Sequence, residues 1–177
     1  GFMEDCGEPD DGTLISVSPT AENETSENQE WSFLSRESIV SLKDNPLLAI
    51  LDLGCTRSMA SKLALDNFMK AARPLGYKFE FFPTTAHFSF ANSETAKVST
   101  SVRVWFPTTP PIYADICVLD QGNVPILLSL HQMKNLGTKL DLNPKGIYIT
   151  CEALGLRNSR ALQTASQHVV VDLRWFH

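Results

Sequence analysis

Asp52 and Gly54 stand one residue apart at the end of an apolar run, Leu48-Ala49-Ile50-Leu51, with Cys55 and Thr56 following. A carboxylate released from a strand into a glycine turn has two uses. It can sit on a loop as a general acid or base, exchanging a proton with a water or a substrate carbonyl. It can equally end an ordinary strand, its oxygen taking a nearby backbone N–H. The triplet alone does not decide, because Asp10–Gly12 and Asp120–Gly122 repeat it. The other reactive side chains gather less well. Cys6, Cys55, Cys117 and Cys151 form no Cys-x-x-Cys pair, and His87, His131, His168 and His177 have no ligand spacing with them. No metal site and no cofactor are therefore expected. The spread cysteines fit reduced, buried thiols, and an intracellular setting is favoured. Cys55 has no histidine near it in sequence to activate a thiolate, and His87 and His131 read as surface residues. The sequon at Asn23 is weak evidence by itself.

The elements that must position Asp52 can be read from apolar periodicity. The chain has 177 residues, 43% hydrophobic, with net charge −5. That is enough for a globular core, and without clustered Lys and Arg it does not favour a nucleic-acid groove. No apolar run approaches the roughly 18 residues of a membrane span. The opening GFMEDCGEPDDG reads as an internal fragment or processed start, with no signal peptide pattern. Residues 1 to about 30 are acidic and polar and predict an arm that buries little of itself. WSFLSRESIVSL predicts a short strand or helical turn. NPLLAILDL predicts a strand, and SKLALDNFMKAARPLG a helix using Leu63, Leu65, Phe68, Met69 and Ala72, ended by Pro74 and Gly76. YKFEFF, AHFSFAN, KVSTSVRVWF and IYADICVL alternate as half-buried strands do. VPILLSLHQMKNLG predicts a strand passing into a short helix closed by Gly137. TKLDLNPKGIYIT predicts a hairpin turning at NPKG, and QHVVVDLRWF a last strand. There is no solenoid repeat.

The order strand, Asp-x-Gly, hairpin, strand, short apolar strand, helix resembles a retropepsin, and among these the protease of copia-type retrotransposons. That family reads W-I-L-D-S-G-A-S where this chain reads AILDLGCT. Asp52 matches the catalytic aspartate, Gly54 the glycine, Cys55 the small residue and Thr56 the hydroxyl, while Arg57 and Met59 resemble residues that often follow. FANSETAKVSTSVRV is similar to the family's hairpin. ILLSLHQMKNLG matches a segment like N-L-L-S-V-S-Q-L-x-x-x-G at Leu127, Leu128, Ser129, Gln132, Met133 and Gly137. The resemblance covers about 45 to 151. It implies an all-β fold, a mainly antiparallel closed β barrel with two short helices. It also implies one catalytic Asp per chain, so that two chains meet on a two-fold axis and their carboxylates share a proton. Asp120 follows Asp52 too closely to build a second lobe and reads as a turn residue.

Two departures bear on activity. Leu53 stands where the family places Thr or Ser, whose hydroxyl bonds the partner chain's loop; leucine offers neither donor nor acceptor. Between Gly76 and Gly122 the chain has no glycine, where a retropepsin flap needs glycine to approach a peptide. The expectation is a polar N-terminal arm over 1–44, a retropepsin-like domain over 45–151 and a C-terminal extension with a strand over 152–177. Its role is either a catalytically impaired structural or interaction subunit within a larger protein assembly, or a homodimeric aspartic endopeptidase. In both, the site residues are Asp52, Leu53 and Gly54, with other protein chains as partners and neither nucleic acid nor a membrane span involved. Extended termini can wrap a partner, and an exposed β segment can add to its sheet.

Overall fold

The computed structural model describes residues 41–55, 57–89 and 93–174. The expectations placed on the polar arm before residue 41, Asn23, the WSFLSRESIV segment, Asp10–Gly12, Cys6, Thr56, residues 90–92 at the end of AHFSFAN and the last three residues lie outside these. The described chain is mostly β, with two α-helices. Its elements are β1 (Leu48–Asp52), β2 (Met59–Ser61), α1 (Lys62–Ala72), β3 (Lys78–Ser89), β4 (Thr95–Phe106), β5 (Ile112–Leu119), β6 (Leu127–Ser129), α2 (Leu130–Asn135), β7 (Lys139–Asn143), β8 (Gly146–Cys151), β9 (Leu156–Arg160), β10 (Leu162–Gln163) and β11 (Val169–Asp172).

An eight-stranded sheet runs β10-β11-β1-β6-β2-β5-β4-β3, and β7-β8-β9 form a second. The order is open: β10 ends one edge and β3 the other, so the closed barrel implied by the resemblance is not found among the described residues. Most pairings are antiparallel, but β1 pairs β6 and β2 pairs β5 in parallel. β1 lies between two neighbours and is covered on both faces, with Leu48, Ala49 and Ile50 all buried. That is why its sequence is a continuous apolar run rather than an alternation.

Helix α1 starts at Ser61, whose hydroxyl accepts the Ala64 N–H at 3.3 Å. It buries Leu65, Phe68, Met69 and Ala72, one stripe of a 3.6-residue period; Leu63, expected in that stripe, is exposed instead. The helix tightens into a 3-10 turn over Arg73–Leu75 and stops at Gly76, whose φ of 97° suits glycine. A Cβ there would also stand 3.2 Å from Pro107. Phe68 packs edge-on against Tyr77 and Phe79, and its full burial is worth about 2–3 kcal/mol.

The two strands expected from YKFEFF and AHFSFAN are one strand, β3, with a register shift between Pro83 and Ala86. Proline cannot donate to the ladder, so it is tolerated on this edge strand and beside an irregularity. The C-terminal segment carries more than the single strand expected of it. β11 pairs antiparallel with β1, β9 joins the smaller sheet, and Leu156, Val170, Val171 and Leu173 are core residues. Cys117 and Cys151 are free and buried, whereas Cys55 is disulfide-bonded, which corrects the expectation of four reduced thiols. Among the described residues no helix is long and apolar enough to cross a membrane.

Two apolar clusters flank the large sheet. One gathers Leu65, Phe68, Val102, Val104, Ile149 and Val171; the other gathers Leu48, Ile50, Met59, Phe88, Val98 and Leu127. Alternation along β1 puts Leu48, Ile50 and Asp52 on the second side. The far half of the β3–β4 hairpin covers that side through Ala86, Phe88 and Val98.

Candidate functional site

Asp52 is the last residue of β1 and is buried, only 3% exposed. Its Oδ1 accepts the Gly54 N–H at 3.0 Å, and its carbonyl accepts the Cys55 N–H at 3.2 Å. The turn therefore closes on both the side chain and the backbone of one aspartate. β6 inserts between β1 and β2, although these are consecutive in sequence, and Asp52 lies in register with Ser129. The loop from Asp52 to Ser58 must thus pass over the end of β6, where α2 begins.

Three contacts tie that loop to this junction. Asp52 pairs with Ser129 across the parallel ladder. Leu130 N–H donates to the Cys55 carbonyl at 2.8 Å. Ser58 Oγ accepts the Ser129 N–H at 2.9 Å, with the two hydroxyls 3.3 Å apart. Ser129 Oγ caps α2 by accepting the Gln132 N–H at 3.1 Å, and the Gln132 side chain donates to the Tyr113 carbonyl at 3.3 Å. The Ser58 carbonyl accepts the Cys117 N–H at 2.9 Å. Ser58 and Ser129 are both buried, and buried hydroxyls are costly unless bonded, as these are.

Ser58 is a site-forming residue the sequence reading missed. Its signal was a hydroxyl directly before a strand, six residues after an aspartate, and nothing local points it at Ser129. Leu53, the residue between Asp52 and Gly54, is 52% exposed, and Leu130, in the junction, is 37% exposed. The loop thus buries its carboxylate and presents its leucine.

Asp120 stands elsewhere. β5 runs opposite to β1, through the parallel β2 pairing and the antiparallel β2–β6 pairing, so Asp120 follows β5 at the far end of the sheet and is exposed. His87 is exposed on β3, and His131 is exposed on α2, where its Nε2 meets Asn135. Cys117 is kept protonated: burial pushes its thiol up, against smaller opposing contributions from Ser101 and Arg57. Trp105 packs against Tyr113 on the outer face, beside an Arg103–Asp115 pair that is bidentate at 2.8 and 3.0 Å. No group of three or more His, Cys, Asp and Glu is placed to hold a metal among the described residues.

The arrangement can hold one carboxylate per chain at a fixed direction in a mixed β domain. No family model, no curated protein and no solved structure matches the chain.

Proposed function

We propose that the chain is a retropepsin-like domain that is catalytically impaired and serves as a structural or interaction subunit. One observation carries this reading: Leu53 is half exposed on the loop that buries Asp52. In an isologous dimer of such loops that position faces the partner's loop, and a leucine there supplies no hydrogen bond. Each lost partner costs about 1–3 kcal/mol and a two-fold axis counts it twice. The β3–β4 hairpin, which takes the place of a flap, supports the same reading. It has no glycine in its described strands, and Phe88 and Val98 are buried in the core beneath it.

The second reading is an active homodimeric aspartic endopeptidase with Asp52 from each chain. It is favoured by the fixed carboxylate, held by the Gly54 amide at the end of a buried strand. Two carboxylates brought together would share one proton, one acting as base toward water and the other as acid toward the substrate carbonyl. Sedimentation and peptide cleavage at acidic pH separate the two. The unmodified chain is expected to cleave poorly or not at all, and Leu53→Thr to strengthen dimerisation and bring cleavage that Asp52→Asn abolishes. Robust cleavage by the unmodified chain, lost on Asp52→Asn, overturns the impaired reading in favour of the second.

A further inference from the structure

We infer that Ser58 and Ser129 together are the positioning device of the Asp52 loop, so that the loop whose Gly54 amide holds the carboxylate is itself fixed against the β6–α2 junction. This rests on the reading of Asp52 as the site residue. Seven residues, 52 to 58, meet the two-residue junction Ser129–Leu130 at their start, middle and end, through the Asp52–Ser129 register, the Leu130 amide on Cys55 and the Ser58–Ser129 bonds. A hydroxyl has one proton and two lone pairs. Ser129 Oγ spends one lone pair on the Gln132 N–H and meets the Ser58 hydroxyl as well, so one atom joins loop, strand end and helix cap. Ser58 then passes the constraint to β5 through its carbonyl on the Cys117 amide. A residue at 129 that lacks a hydroxyl keeps the ladder and the backbone amide bond to Ser58, and loses the contact between the two hydroxyls and the α2 cap.

Ser61 supplies a matched control. It too is buried at a strand–helix junction and caps a helix by accepting an amide, that of Ala64, and its hydroxyl donates to the Val124 carbonyl, but its bonds do not touch the Asp52 loop. The test is amide hydrogen exchange on the whole chain, read at Gly54 and Leu130 and normalised to amides of β4. Ser129→Ala is expected to speed exchange at both by about tenfold or more beyond the β4 change. Ser61→Ala is expected to leave both unchanged after the same normalisation, and Ser129→Thr to restore most of the protection. Should Ser129→Ala not fold, Ser58→Ala gives the same reading with the α2 cap intact. Equal effects of Ser129→Ala and Ser61→Ala at Gly54, or none from Ser58→Ala, overturn the inference. The readout needs no catalysis, so a protein inactive even with Leu53→Thr still decides it, and loss of the inference leaves the cleavage experiment standing.

Discussion

Two aspartates end apolar strands in this molecule, and each is followed by a leucine. Asp52-Leu53-Gly54 ends β1, and Asp172-Leu173-Arg174 ends β11, the strand paired with β1, so that Asp172 lies beside Leu48 at the opposite end of the same ladder. Both are 3% exposed, and both use Oδ1 to accept the amide two residues on, at 3.0 Å from Gly54 and 2.9 Å from Arg174. There the likeness stops. The Arg174 guanidinium folds back onto both Asp172 oxygens, and that contact raises the arginine's own pKa. Gly54, at the equivalent place, brings an amide and no side chain. Leu173 is buried at 2% exposure, and its carbonyl accepts the Tyr77 hydroxyl at 2.5 Å. Burial, and then the Asp172 charge, push that phenol far above its ordinary value, so it stays a donor. Leu53 is turned out to 52% exposure. The same local pattern thus buries the leucine at the Asp172 end and presents the leucine at the Asp52 end, with both carboxylates buried. The residue after the leucine differs as well: Arg174 gives Asp172 its guanidinium and its amide, and Gly54 gives Asp52 its amide.

The two leucines give the widest expected contrast. Leu173→Ala should cost about 2–5 kcal/mol, as a buried leucine leaves a cavity, whereas Leu53→Ala should stay within about 0.5 kcal/mol. Urea midpoints measure both, and a large loss at Leu53 in a monomer would break the comparison. Next come the charges. Arg174→Ala should cost about 1–2 kcal/mol, because the buried Asp172 carboxylate loses its guanidinium bonds, a loss held down by solvent around the half-exposed arginine. Asp52→Asn should cost less than about 1 kcal/mol, since an amide oxygen still accepts the Gly54 N–H. Should the two prove equal, Asp52 carries as much of the fold as Asp172 and the division between ends fails. The smallest effect sharpens the Asp172 end through pH. His168 lies in the turn joining β10 to β11, where its N–H donates to Thr164 Oγ1 at 3.1 Å, and burial holds its ring below the ordinary pKa of 6.5. The unfolded chain therefore binds the proton first as pH falls. The stability contribution is complete above 6.5 and is lost as pH drops through the lowered folded value. Denaturation midpoints measured across that window should fall in the unmodified chain and fall less in His168→Gln.

Much of this was written locally. Alternation in KVSTSVRVWF gave the buried Val98, Val102, Val104 and Phe106, and the β6–α2 passage closed by Gly137 was readable from ILLSLHQMKNLG, because periodicity reports which face meets the core. Asp52 was legible as a carboxylate ending a strand for the same reason. Which strand lies beside which was not legible. Ladders are built from N–H and C=O groups that nearly every residue carries, so no side-chain pattern announced β6 between β1 and β2, the parallel pairing at the site, or β11 completing the sheet. The joint between Ser58 and Ser129 spans 71 positions and exists only once those strands are neighbours. Nor could the sequence tell Leu53 from Leu173, two leucines after two aspartates. The chain alone determined that a carboxylate would sit at the end of a buried strand; the tertiary structure decided that at Asp52 the leucine faces out, because there the chain must turn over the end of β6 instead of running on beneath the core.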